Sequence, residues 1–197
     1  MKLIESETIK NLANSFAGEC QAMVRYKFIE YGARMQGFEQ LAQQIDKLVY
    51  NEFNHARMFY TKIQDASKDT ITNIEVCSGY PFKEKWDLAE NLKVASEDEK
   101  DEFAIVYPRY RDIALKEGFK DIAQLYDDII QVESCHHKIL HELHRQVADK
   151  TMYKKTKSTE WKCGSCGYEA EGKEAWDECP LCLEKQGTVM LKIPTDQ

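Results

Sequence analysis

The 197-residue sequence has no surplus of positive charge and no long apolar run. It contains 27 Lys and Arg against 34 Asp and Glu, a formal net charge of −7 at pH 7. Nucleic acids and anionic membrane surfaces are bound through clustered positive charge, so this composition argues against both partners. The chain also lacks the stretch of about 18 apolar residues that a membrane-spanning helix needs, and its N-terminus lacks the apolar core of a secretion signal. We therefore expect a cytoplasmic protein.

The chain contains seven cysteines, but they do not have the spacing of a disulfide framework. Cys20, Cys77 and Cys135 are scattered, and a free cysteine usually acts as a small apolar residue. The other four form two Cys-x-x-Cys pairs with 12 residues between the pairs: Cys163, Cys166, Cys179 and Cys182. Two such pairs predict a tetrahedral thiolate site for iron or zinc in a reducing compartment. A segment of about 35 residues needs such a site in order to fold.

Apolar residues recur at spacings of three and four, which predicts four long amphipathic helices. We expect them at residues 5–33, 37–64, 86–116 and 119–149. The connection between the second and third helices, which contains Gly79, Tyr80 and Pro81, is long, and the others are short. A long connection that crosses the bundle from end to end is typical of ferritin-like four-helix bundles.

A change in composition after the fourth helix predicts a domain boundary. Residues 150–159 are polar and basic and contain no large aliphatic side chain. We interpret this stretch as a linker between a four-helix domain, residues 1–149, and a small metal-bound domain, residues 160–197.

A repeated motif places charged residues within the apolar faces of these helices. A lone Glu on one helix is followed by Glu-x-x-His on the next, first as Glu19 with Glu52 and His55, then as Glu99 with Glu133 and His136. The two copies are offset by 80 or 81 residues, since 99 − 19 = 80 and 133 − 52 = 81. Unpaired ionised carboxylates in a bundle interior cost several kcal/mol each, so cations must compensate them. This pattern is the ligand set of a carboxylate-bridged two-metal site.

Other polar residues near this motif have two interpretations each. Glu102, one turn after Glu99, is either a further carboxylate ligand or an edge residue that pairs with a Lys. Tyr26 and Tyr107 are either core aromatics or donors of hydrogen bonds to ligating carboxylates. Three further histidines are expected at the bundle surface: His137, His141 and His144.

The predicted ligands limit the chemistry of the two-metal site. Carboxylates with one imidazole per metal favour iron or manganese over copper or zinc. Two bridged metals can share two electrons, which suits reduction of oxygen or peroxide, and the thiolate site could supply electrons one at a time. Two other functions remain open at this point: a ferritin-like iron-binding protein or ferroxidase, and a bundle whose zinc knuckle recruits a partner.

The motifs resemble those of the rubrerythrin family, in which a ferritin-like di-iron domain precedes a rubredoxin-like domain. The similarity covers essentially the whole chain and rests on these segments: Phe16-Ala-Gly-Glu-Cys-Gln-Ala, Asn51-Glu-Phe-Asn-His-Ala, Glu90-Asn-Leu with Glu99 and Glu102, Val132-Glu-Ser-Cys-His and Trp161-Lys-Cys. The resemblance implies an all-α ferritin-like four-helix bundle with a small C-terminal β domain held together by metal.

The resemblance also implies an activity and roles for the ligands. Family members reduce hydrogen peroxide to water at the di-iron centre, with electrons that come from an NAD(P)H-dependent rubredoxin reductase or rubredoxin through Fe(Cys)4. The implied bridging carboxylates are Glu52 and Glu133, with Glu99 and Glu133 as a second candidate pair. One iron would be bound by Glu19 together with either His55 or Glu102, which exchange when the site changes its redox state. The other iron would be bound by Glu99 and His136. Tyr26 and Tyr107 match the family's tyrosines that bond to ligands.

The resemblance further implies a homodimer, head-to-tail or domain-swapped, in which one subunit's thiolate centre serves the partner's di-iron site. Two positions depart from the family pattern. Asp98 replaces a Gly before Glu99 of the third helix. We expect the Asp98 side chain to crowd the approach to the site or to change its charge. Leu183 stands where the family commonly has a Gly with positive φ after the last cysteine. A non-glycine residue at such a position costs on the order of 1–3 kcal/mol if the turn is kept.

Overall fold

The structure, a computed structural model, describes residues 1–77 and 86–193. Its helices are α1 (Glu7–Met35), α2 (Glu39–Gln64), α3 (Leu88–Asp101), α4 (Tyr107–Glu117) and α5 (Lys120–Ala148). The strands β1 (Lys154–Lys162) and β2 (Glu169–Glu174) follow them. Short 3-10 turns lie at Leu3–Glu5 and Gln186–Thr188, and a π-helical turn covers Glu102–Val106. The fold is the mostly helical, ferritin-like architecture that the sequence predicts, followed by a small strand domain.

The π-helical turn divides the helix that we predicted as continuous over residues 86–116. Glu102–Val106 is wound more widely than the α-helices on either side of it. Pro108 lies in the first turn of α4. Proline has no N–H to donate and its ring clashes with the carbonyl four residues earlier, so a regular α-helix cannot run through this position unchanged. The side chain of Glu102 therefore leaves the helix in a direction that a 3.6-residue period does not predict.

Two apolar clusters fill the two ends of the bundle. The first cluster includes Ile29, Leu41, Leu92 and Leu140, and the second includes Leu12, Phe59, Ala114 and Ile129. On α1, α2 and α5 the buried Glu and His residues lie between the residues of the two clusters, and on α3 Glu99 follows the first cluster. The predicted polar layer in the middle of the bundle is therefore present.

The clusters also give the direction of each helix. Helix α2 runs from the first cluster to the second, and α3 with α4 runs the same way. Consecutive helices that run in the same direction need a connection that returns along the full length of the bundle, as the sequence predicts. Part of that connection, with the predicted Gly79, Tyr80 and Pro81, lies outside the described residues. The turn between α4 and α5 is tight because Gly118 takes φ +91°.

The C-terminal domain is built on an antiparallel pair of strands. Trp161 of β1 lies opposite Ala170 of β2, and the Trp161 ring is buried against Ala175 and Val189. Strand β1 begins at Lys154, so residues 154–159, which we predicted as linker, are part of the sheet. Their alternating polar and basic side chains lie on a partly exposed two-stranded ribbon, which needs no large aliphatic residues. The domain boundaries themselves stay predictions.

The C-terminal domain contacts the turn between α1 and α2. A Cβ added at Gly187 would lie 1.6 Å from the carbonyl oxygen of Gly37 and 3.3 Å from the amide nitrogen of Glu39. Two backbones therefore touch here, which only glycine permits. Within the described residues, no helix combines the length and the apolar character needed to cross a bilayer.

The substitution Gly187→Ala should separate the two domains at this contact. The new methyl group cannot be accommodated without moving backbone, and we expect a loss of about 1–3 kcal/mol in the free energy of unfolding. Denaturant unfolding would measure this loss of stability, and limited proteolysis would detect separation of the C-terminal domain. Gly172→Ala is the control, because a Cβ there comes no closer than 3.3 Å to another atom outside its chain neighbours. Equal stability of the two variants would contradict the assigned contact.

Candidate metal centres

The polar layer contains two overlapping groups of ligand atoms. Glu19, Glu52, His55 and Glu133 form one group, and Glu52, Glu99, Glu133 and His136 form the other. Within each group the ligand atoms all lie within 4.8 Å of one another. Two carboxylates, those of Glu52 and Glu133, belong to both groups.

Each shared carboxylate directs one oxygen to each histidine. For Glu133, Oε1 lies 2.9 Å from His55 Nδ1 and Oε2 lies 2.8 Å from His136 Nδ1. For Glu52, Oε2 lies 3.1 Å from His55 Nδ1 and Oε1 lies 2.9 Å from His136 Nδ1. Glu52 and Glu133 are therefore placed to contact both metal ions, the role that the family resemblance implies for this pair, whereas Glu99 belongs to one group alone. The bridging roles stay predictions.

The remaining carboxylates are divided between the two histidines. Glu19 Oε2 lies 3.7 Å from His55 Nδ1, and Glu99 Oε1 lies 3.7 Å from His136 Nδ1. Each half of the site thus has one Glu and one His of its own, and the two halves repeat the symmetry of the sequence motif.

Several atoms in this layer are buried and lack a hydrogen bond, as a metal site requires. They are Glu19 Oε2, Glu52 Oε1, Glu99 Oε2, both oxygens of Glu133, and His136 Nδ1. Some lie within 3 Å of one another without the alignment of a hydrogen bond. Buried polar atoms are otherwise almost always paired, so ligand atoms that face a shared point fit a pair of metal ions. Hard carboxylate oxygens with one imidazole per metal suit iron.

The pKa values reflect how the carboxylates and imidazoles of the layer compensate one another. Burial opposes the charged form of His55, but the close carboxylates of Glu133, Glu19 and Glu52 raise its pKa to about 12. Burial likewise opposes ionisation of Glu52, yet the close imidazoles of His136 and His55 lower its pKa to about 2. Burial raises the pKa of Glu19, and neighbouring carboxylates add to this effect. Metal ions that bind to these carboxylates and histidines must therefore displace protons.

Two buried tyrosines hold the carboxylates that are not shared. The Tyr107 hydroxyl donates a hydrogen bond of 2.5 Å to Glu19 Oε1, and the Tyr26 hydroxyl donates to Glu99 Oε1. Burial raises the pKa of Tyr107, so its phenol keeps the proton it donates. Of the two interpretations open from sequence, the hydrogen-bonding one agrees with this geometry.

Glu102 lies beside the layer but outside both groups. A Cβ added at Gly18 would lie 3.8 Å from Glu102 Oε1, so the Glu102 carboxyl lies against α1 at the residue before Glu19. Burial, followed by the charges of Glu19 and Glu99, raises its pKa well above the usual range. Its assignment as a ligand stays a prediction. The neighbouring Asp98 forms a 2.5 Å ion pair with Arg25 of α1, so its charge is balanced locally.

Asn51 is a site residue that the sequence analysis missed. Its side-chain amide lies 3.1 Å from His136 Nε2. If His136 binds metal through Nδ1, its Nε2 carries the hydrogen, and a 180° rotation of the Asn51 amide presents Oδ1 to accept it. A metal-binding histidine needs such a partner, but which residue supplies it depends on how α2 packs on α5, and the sequence does not give that packing.

The four cysteines converge in the C-terminal domain. Cys163 Sγ lies 3.7 Å from Cys182 Sγ, and Cys166 Sγ lies 3.6 Å from Cys179 Sγ. A tetrahedron with metal–sulfur distances of about 2.3 Å has edges of about 3.8 Å, so the spacing fits one metal ion. Burial opposes ionisation of Cys163, but the backbone N–H groups of Cys166 and Ser165 lower its pKa to about 6.

The two cysteine turns have the same backbone structure. The amide of Gly167 donates to the carbonyl of Cys163, and the amide of Leu183 donates to the carbonyl of Cys179, at 3.0 and 2.9 Å. Gly167 has φ +79° and Leu183 has φ +63°. Leu183 therefore keeps the left-handed turn that we expected at this position, without the glycine that usually occupies it.

Fold and sites together define a ferritin-like carboxylate protein with an appended four-thiolate centre. The family model for rubrerythrin matches residues 10–144, and the model for the rubrerythrin rubredoxin-like domain matches residues 161–187. The chain belongs to the rubrerythrin family. It therefore has a di-iron carboxylate site in the bundle and a rubredoxin-like four-cysteine site.

Comparisons with individual proteins agree with this assignment. The chain is 36% identical to a rubrerythrin of Clostridium perfringens over 181 residues, 92% of each chain. It is 33% identical to a rubrerythrin of Porphyromonas gingivalis, over 92% of this chain and 88% of the relative. A solved nigerythrin in a mixed-valence state superposes with a TM-score of 0.62 at 22% identity, over 94% of this chain and 86% of that one, which shows the shared fold.

Replacing Asn51 should weaken metal binding at the His136 half of the site. In Asn51→Leu the imidazole loses the acceptor for its Nε2–H, and we expect metal affinity to fall by about 10- to 100-fold. Chelator competition with Co²⁺ on the metal-free protein would measure this. The control is Asn54→Leu on the same helix, whose side chain bonds to the Tyr50 carbonyl and to Arg57 rather than to a histidine of the layer. Equal affinity in the two variants would contradict a role for Asn51.

Proposed function

We propose that the protein reduces hydrogen peroxide to water in the cytoplasm, as an oxidoreductase of oxidative-stress defence. The observation that carries this proposal is the presence on one chain of two overlapping groups of buried Glu and His ligand atoms, which share Glu52 and Glu133, and of a group of four cysteines. Each peroxide needs two electrons and two protons to give two waters. When bound, the two irons would supply the two electrons together, and the thiolate iron would replace them one at a time.

The residues of the bundle layer would bind the metals and exclude water. Glu19, Glu52, Glu99, Glu133 and His136 are each at most 2% exposed. Tyr107 and Tyr26 fix the orientation of Glu19 and Glu99 through their hydrogen bonds. In such an enclosed site, fixed donors and charges act more strongly than in water.

Glu102 is suited to hold a proton for the reaction. Burial and the neighbouring carboxylates raise the pKa of its carboxyl well above the usual range, next to Glu19. Its place on the π-helical turn, where the backbone is already irregular, would let its side chain approach or leave the metal layer. This supports the implied exchange between Glu102 and His55.

The four-thiolate site presents a surface on which an electron donor could dock. Cys166 is exposed and Cys182 is partly exposed. Leu181 and Leu183, next to Cys182, are 66% and 70% exposed. Exposed apolar side chains around a redox centre suit a transient protein contact, and we propose an NAD(P)H-dependent rubredoxin reductase or rubredoxin as the donor.

The position of the four-thiolate domain supports a homodimer. Its Gly164 lies against Gln40, in the first turn of α2, and Glu52 is 12 residues further along that helix, roughly 18 Å away at 1.5 Å per residue. Electron transfer slows steeply with distance, so we propose that a head-to-tail or domain-swapped partner provides the route. An exposed apolar surface on α1 and α2 could form the interface: Val24, Phe28, Tyr31, Met35, Tyr50 and Phe53.

The reaction with oxidants tests the proposed activity. Metal-loaded protein, fully reduced without air, should recover its red ferric-thiolate absorption rapidly on mixing with stoichiometric peroxide and at least tenfold more slowly with oxygen. Stopped-flow absorbance would follow both reactions. Cys179→Ser, which loses the thiolate iron but none of the bundle ligands, is the control for the origin of the colour.

Equal rates with both oxidants would contradict peroxide reduction. Uptake of many irons per chain during aerobic loading would favour the ferritin-like iron-binding or ferroxidase alternative. A colourless protein with zinc in the thiolate site would favour the zinc knuckle.

Mixed dimers test the route of the electrons. One chain type would carry Cys179→Ser and the other Glu52→Ala, so that each lacks one of the two centres. If electrons pass between subunits, mixed dimers should regain peroxide reductase activity, up to roughly half that of the wild type, although neither homodimer is active. Mixed dimers as inactive as the two parents would show that electrons pass within one chain.

A further inference from the structure

Three of the five histidines lie outside the metal layer and form a row on α5. They are His137, His141 and His144, and residues at these spacings share one face of a helix. His141 is exposed, whereas His137 and His144 are half-buried along α3. The proposed reaction uses none of the three.

Two rings of this row have a fixed tautomer when neutral. His137 Nδ1 lies 2.8 Å from the carbonyl oxygen of Ser96, and His144 Nδ1 lies 2.9 Å from that of Ala89. A carbonyl can only accept, so Nδ1 carries the hydrogen in both rings and Nε2 keeps its lone pair. Histidines that bind metal commonly donate their other N–H to a backbone carbonyl in this way.

The ring spacing selects one pair. A metal–nitrogen distance of about 2.1 Å puts a ligating ring's centroid roughly 3.2 Å from the ion, so two rings on one ion have centroids at most roughly 6.4 Å apart. The centroids of His137 and His141 are 5.8 Å apart, with planes 29° from parallel. Those of His141 and His144 are 6.5 Å apart, a separation that only a linear arrangement of the two rings about the ion approaches.

We propose that His137 and His141 bind one divalent transition-metal ion at the surface between α3 and α5. Two imidazoles suit ions of the zinc, nickel and copper class, and ferrous iron binds such ligands more weakly. Water would complete the coordination. The site is separate from the bundle centre because the His137 ring bonds to α3, whereas the His136 ring faces Glu52 and Glu133.

Calorimetric titration of the metal-loaded, full-length protein with Ni²⁺ tests this site. The wild type should bind one Ni²⁺ in addition to its resident metals. His141→Gln removes an exposed ring with no protein hydrogen bond among the described residues, and it should weaken Ni²⁺ binding at least tenfold. His144→Gln, which removes an imidazole from the same row, is the matched control and should bind within twofold of the wild type.

A second readout does not depend on any variant. With Cu²⁺ as the probe, electron paramagnetic resonance of the wild type should show coupling to two imidazole nitrogens. The proposal is overturned if the wild type binds no additional Ni²⁺, if His141→Gln binds as tightly as the wild type, or if the copper signal shows no imidazole coupling. Loss of Ni²⁺ binding in Cys135→Ser would assign the ion to that exposed thiol and overturn it as well.

Discussion

The structure depends on the burial of many carboxylates in one layer of a helical bundle. Glu19, Glu52, Glu99 and Glu133 are each at most 1% exposed, and only two histidines share their layer. Ionised carboxylates in such an interior cost several kcal/mol each unless cations lie among them. The apolar clusters at both ends of the bundle hold the four helices together, and the layer between them is stable only when its charge is balanced. The helix arrangement therefore depends on positive charge among these carboxylates, from metal ions or from protons.

Around this layer, hydrogen bonds decide where each ligand points. Tyr107 and Tyr26 each hold one oxygen of a carboxylate that is not shared, and Asn51 meets the far nitrogen of His136. Bonds of this kind orient ligands and tune the metals they bind. The π-helical turn places Glu102 next to this layer without joining it to either ligand group. The site thus combines rigidly held ligands with one carboxyl on an irregular turn.

Much of the fold and the site could be predicted from sequence because their signals are periodic or repeated. The apolar spacing predicts the helices, and the Glu-x-x-His pair at matched offset predicts the six ligands from Glu19 to His136. The cysteine spacing predicts the second site in the same way. Each of these signals lies within one segment or repeats with the symmetry of the bundle, so no three-dimensional contact is needed to see it.

The features that the sequence did not predict arise from contacts between segments, from local helix irregularity or from a composition that two structures share. The π-helical turn results from a local conflict around Pro108, which a periodic pattern averages out. Asn51 depends on the packing of α2 against α5, and the contact of Gly187 with Gly37 depends on how the C-terminal domain meets the bundle. Strand β1 covers part of the stretch that we predicted as a linker, because a polar ribbon has the same composition as a linker.

Mössbauer spectroscopy of the oxidised, iron-loaded protein tests the central claim most directly, because bridging carboxylates couple the two irons magnetically. The account predicts two ferric ions in one antiferromagnetically coupled pair and a third, uncoupled ferric ion with the parameters of a tetrathiolate site. Iron in the bundle that is magnetically isolated, or bundle iron at one ion per chain, would contradict the bridged pair on which this account of the fold and function depends.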